Sequence, residues 1–108
     1  MEVDKLETQK VLNHFKSLSF DLSKEMEIDF FIEGNQNDLQ NVEIDICKLF
    51  NNTCCTNIEY NQEFDIWTCY CSMRIIPDLQ KVISIENDLF QIAIKNNCSY
   101  EGFGSFGN

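Results

Sequence analysis

Apolar and polar positions alternate most cleanly over residues 26–33, where Met26, Ile28, Phe30 and Ile32 interleave with Glu27, Asp29 and Glu33. A period of two puts the apolar set on one face of a β-strand and the acids on the other. Phe31 breaks the alternation by setting a ring among the acids, so that face is expected to be partly covered. The candidate cover is a helix predicted over residues 4–17 from the stripe Val11, Leu12, Phe15 and Leu18, followed by a turn over 19–24. After the strand, residues 34–37 read as a loop, with Asn37 or Asp38 able to cap the next helix. Leu39, Val42, Ile46, Leu49 and Phe50 then recur at helical spacing, and Asn51 suits the exit because asparagine tolerates left-handed backbone.

Two further strands are predicted at 54–60 and 64–75, joined by the short polar turn 61–63, which makes them a hairpin. The second carries Trp67, Cys69, Cys71, Met73 and Ile75 on one face and Phe64, Ile66 and Tyr70 on the other. Bulk on both faces marks a central strand. Pro77 and Asp78 open a second long helix, whose apolar face is Leu79, Val82, Ile83, Leu89, Phe90 and Ala93, interrupted by Glu86. A last strand follows over 98–108. Without the first helix the order is βαββαβ, which predicts an α+β, ferredoxin-like sandwich with a four-stranded antiparallel sheet. Strands one and three would be central and the last strand an edge beside the first. The extra N-terminal helix would cover the open face or the end of the sheet.

The chain has 108 residues, and Pro77 is its only proline, so one domain over 1–108 is expected. No run approaches the roughly 20 apolar residues of a membrane helix, and the acidic start lacks the pattern of a secretory signal. The cytoplasm is the expected compartment. The net charge of −10 opposes binding to bare nucleic acid and to anionic lipid, and suits either plain solubility or a basic partner.

Six cysteines stand at 47, 54, 55, 69, 71 and 98. Reduced thiols are expected in the cytoplasm, and without a C-x-x-C spacing the expected metal is none. Cys54-Cys55 with Cys69-x-Cys71 is a conceivable thiolate site, but small core residues are the favoured reading. His14, the lone histidine, reads as a helix-surface residue. Gly102-x-Gly104-x-x-Gly107 has the letters of a dinucleotide fingerprint without the helix that must follow it. No catalytic constellation and no cofactor emerge.

The last strand is the most distinctive stretch. Gly102, Gly104 and Gly107 alternate with Tyr100, Phe103 and Phe106, as for a bend or a close backbone approach beneath rings. Tyr100, Glu101, Gly102, Phe103 and Gly104 are the candidate partner-binding residues, since an edge strand can pair with a partner and aromatic rings anchor interfaces. By this reading alone Tyr100 and Phe103 fit the core equally well, as rings packed inward with the glycines making room.

Residues 100–106, Tyr-Glu-Gly-Phe-Gly-Ser-Phe, resemble the Tyr-Asp-Gly-Trp-Gly-Thr-Tyr/Phe ending of the regulator of ribonuclease E activity B (RraB) family. The helix before it, the first strand (Ile28-Asp29-Phe30-Phe31-Ile32) and residues 37–50 are similar to that family too. The resemblance implies a ferredoxin-like protein with an added N-terminal helix, cytoplasmic and non-enzymatic, that binds ribonuclease E and inhibits its RNA cleavage. Here Glu101 and Phe103 replace the family's Asp and Trp, and Phe30 and Phe31 stand where some members carry paired histidines. The sequence also ends without the long acidic tail of some relatives. The leading expectation is a regulator that binds a protein partner, an RNA-degrading endonuclease, with its oligomeric state left open. The alternatives are a small-molecule-binding domain reported by Trp67 and Tyr70, and an enzyme using a thiol such as Cys98.

Overall fold

A computed structural model describes residues 3–51 and 53–107. The elements run α1 (Lys5–Ser17), β1 (Met26–Gly34), α2 (Gln36–Leu49), β2 (Cys55–Asn61), β3 (Ile66–Ile75), α3 (Leu79–Lys95) and β4 (Ser99–Gly104). The four strands pair antiparallel in the order β2-β3-β1-β4. The fold is α+β and ferredoxin-like, with β1 and β3 central and β4 an edge beside β1, as the element order implied.

The inner face of β1, formed by Met26, Ile28, Phe30 and Ile32, is fully buried under α2 and α3. Leu39, Val42 and Ile46 of α2 and Val82, Leu89 and Ala93 of α3 pack on it. Ile85 and Ile92 join that face of α3, whereas Ile83 and Phe90 are only half-buried, so the helix sits slightly rotated from the predicted stripe. Leu18 and Leu49, predicted apolar-face residues, lie exposed at helix ends, beyond the reach of the sheet. Cys69 and Cys71 are core residues.

Three local readings need correction. Asn35, rather than Asn37 or Asp38, caps α2, its Oδ1 accepting the Asp38 N–H at 2.8 Å. Asp78 caps α3 by accepting from Lys81 N–H at 3.3 Å, and Pro77 stands just outside the helix. Phe64 belongs to the turn and not to β3. Asn61 Oδ1 accepts from the N–H groups of Glu63 and Phe64, and Asp65 takes a φ of +50° before the strand begins.

The N-terminal helix does not cover the open face. It lies on the helix side, beside α3 and over the inner side of β4. Leu12 and Phe15 enter the core there, and the Phe15 ring meets Phe103 edge-on at 5.8 Å. Apolar partners decide the placement, because the other side of the sheet offers α1 mostly carboxylates.

Candidate partner-binding surface

In an unbroken strand, Tyr100 and Phe103 are three residues apart and face opposite sides. Pairing with β1 shows otherwise: Phe103 lies opposite Phe30, Gly102 opposite Phe31, and Tyr100 opposite Ile32. Glu101 is the extra residue of a β-bulge, which restores both rings to the inner face. Phe103 is only 8% exposed, and Tyr100 is half-buried against the core. Glu101 is exposed, and Gly104 lies under the Phe31 ring. The five predicted contact residues thus divide between the two faces of the sheet.

Gly102 has a φ of +128°, and a Cβ there would meet nothing within 4 Å. It serves the backbone of the bulge, so the expectation of a bend holds while that of close approach fails at this position. The close approach is at Gly107, where φ is +99° and a Cβ would stand 2.7 Å from the Phe20 ring.

Behind β4, Glu86 of α3 is 4% exposed. Thr8 Oγ1 of α1 donates to its Oε1 at 2.5 Å, and the Tyr100 hydroxyl of β4 donates to Oε2. One carboxyl group therefore ties three elements together at the floor of a cleft of about 370 Å³, walled in part by Val11, Phe90 and Gly102. Burial pushes the Glu86 carboxyl above the usual carboxylate range, against the two hydroxyl donors that favour its ionised form. Burial, followed by the charge of Glu86, pushes the Tyr100 hydroxyl up.

The raised value makes the folded protein hold the Glu86 proton more tightly than the unfolded chain. Its stabilising contribution is complete below the ordinary glutamate value of 4.5 and is lost as pH rises through the folded value. Asp4, Glu7 and Glu101 also line the cleft. Glu86→Gln is expected to keep one hydroxyl donating to its oxygen, to turn the other into an acceptor of its amide N–H, and to gain stability over the parent as pH rises above 4.5. Urea melts of the two proteins from acid to neutral pH check this.

On the opposite side of the sheet no element covers β1 and β3 among the described residues. Phe31 and Tyr70 face each other across the pair, with rings edge-to-face at 5.3 Å. Glu27, Asp29 and Glu33 share that side of β1, and Ser72 Oγ donates to Asp29 at 2.6 Å. Glu59 of β2 and Glu101 of β4 extend the acidic face to both edges.

No group of three or more His, Cys, Asp or Glu among the described residues is placed to hold a metal ion. Burial pushes the Cys69 thiol up to about 12. Cys98 is also pushed up, by burial and then by the negative charge of Asp38, which disfavours a nucleophilic thiolate. His14 lies exposed on α1, away from the core.

Fold, added helix and terminal strand together are matched by one family model, described as regulator of ribonuclease activity B, over residues 5–105. The chain belongs to the RraB family. No curated protein is similar enough to count as a match. The RraB motif here is an edge-strand device: Tyr100 and Phe103 lock the edge inward while the bulge exposes Glu101. Where some RraB members carry paired histidines, Phe30 is in the core and Phe31 is on the open face, so the two positions serve different surfaces. Sequence reasoning overlooked the Glu86 tie, although the interruption of an apolar stripe by one acid was its signal. The open face was likewise visible only as Phe31 among acids.

Proposed function

We propose that the chain is a non-catalytic regulator acting in the cytoplasm, where it binds an RNA-degrading endonuclease of the ribonuclease E type and slows RNA cleavage. The match to the RraB family over residues 5–105 carries this reading. The charge of −10 supports action on the protein in preference to the RNA, since a phosphate backbone is repelled by such a surface. No helix among the described residues is long and apolar enough to cross a membrane, which suits a partner met in solution.

The test is to mix the purified chain with a ribonuclease E-type endonuclease, follow complex formation by light scattering, and follow cleavage of a single-stranded RNA. A complex together with slower cleavage is expected. Unchanged cleavage with no complex would sink the proposal. The cleft over Glu86 favours a second reading, a small-molecule-binding ferredoxin-like domain, since its size and mixed lining suit a small ligand. A metabolite that raises the melting temperature of the parent, but not of a variant with the cleft blocked by Val11→Trp, would support that reading.

A further inference from the structure

We infer that the open face of the sheet is the docking surface for an extended, arginine-rich segment of the partner protein. This deepens the regulatory reading above and rests on it. The Phe31–Tyr70 pair forms a ridge between two troughs, of about 670 and 570 Å³. The first holds Glu27, Asp29 and Glu59 and reaches Phe106, which is 99% exposed. The second holds Glu33 and Glu101 and reaches Phe64, which is 70% exposed. Neither lining includes a Lys, Arg or His. Arg74 stands at the end of this face and already pairs with Glu25 at 3.6 Å.

Aromatic rings interleaved with carboxylates select the guanidinium group. It stacks flat on a ring and meets a carboxylate through two parallel N–H donors, whereas an ammonium does neither as well. Burial, and then the neighbouring charge of Glu101, pushes the Glu33 carboxyl up, so a cation docked beside Glu33 offsets repulsion already present in the free protein. RNA and anionic lipid would bring phosphate onto this face. A second copy of the chain would bring the same acids onto themselves. A basic polypeptide is the occupant whose charge complements it.

The probe is a short fluorescent peptide alternating Arg and Ser, titrated with the full chain and read by anisotropy, beside a Lys-Ser counterpart. The Arg peptide is expected to bind, and the Lys peptide several-fold more weakly. Glu33→Gln combined with Glu101→Gln should weaken Arg-peptide binding by about tenfold, as expected when charged pairs at an interface are removed. Glu43→Gln combined with Asp88→Asn, which removes the same charge from the helix layer, should change it by less than about twofold. Phe31→Ala should bring the Arg peptide down to the level of the Lys peptide. Equal losses in the two charge variants, equal binding of the two peptides, or no binding at all would overturn the inference. Binding of a labelled RNA that the Glu33/Glu101 variant abolishes would also overturn it. The titration contains no nuclease and so fails separately from the regulatory reading. If the face variants slow RNA cleavage as well as the parent does, the surface is wrong and the regulator stands.

Discussion

Phe103→Ala is expected to cost about 3–5 kcal/mol of unfolding free energy, the largest single loss foreseen in this chain. Phe103 lies between Phe15 and Phe30, with ring centroids 5.8 Å from each. It is the contact through which the terminal strand, the first strand and the added helix share one core. Truncation leaves a cavity bounded by rings on two sides, which rigid neighbours fill poorly. Against a total stability of about 5–15 kcal/mol for a domain of this size, such a loss is a large fraction. Urea denaturation of parent and variant measures it. A loss below about 1 kcal/mol would mean that Phe103 is not the anchor of the edge strand.

The second large effect is expected at Gly102. An L-residue at a φ of +128° is strained whatever room surrounds it, so Gly102→Ala should cost about 1–3 kcal/mol. The space above Gly102 is open, so the cost comes from chirality and not from a clash. A D-alanine placed there by chemical ligation has its extended region at positive φ, so it is expected to relieve the strain that L-alanine meets. The expected order of stability is therefore D-alanine above L-alanine. Equal losses with either enantiomer would point to crowding and refute the backbone account.

Pattern made the architecture legible because burial imposes its period directly. The alternation in residues 26–33 and the apolar run in β3 identified the two central strands, and the hairpin and the edge position of β4 followed from their order. Tertiary packing made the remaining choices. Nothing local says that α1 prefers the gap beside α3 to the open sheet. That outcome depends on Phe103 and Phe15 meeting across 88 residues of chain. The site was half legible. The motif at 100–104 was found, but a single inserted residue at Glu101 reverses which face each later side chain takes, and alternation alone cannot register a bulge. On the acidic face, β4 had to be brought into register with β1 before Glu33 and Glu101 became neighbours.

Whether the chain acts on an enzyme or on its RNA is read most directly from the concentration dependence of inhibition. A fixed amount of ribonuclease E-type endonuclease would cleave a single-stranded RNA while the chain is titrated, at low and at high RNA concentration. Binding to the enzyme predicts that the amount of chain needed for half-maximal inhibition follows the enzyme concentration and does not grow in proportion to the RNA. A requirement that rises in step with RNA, or cleavage that never slows, would contradict it.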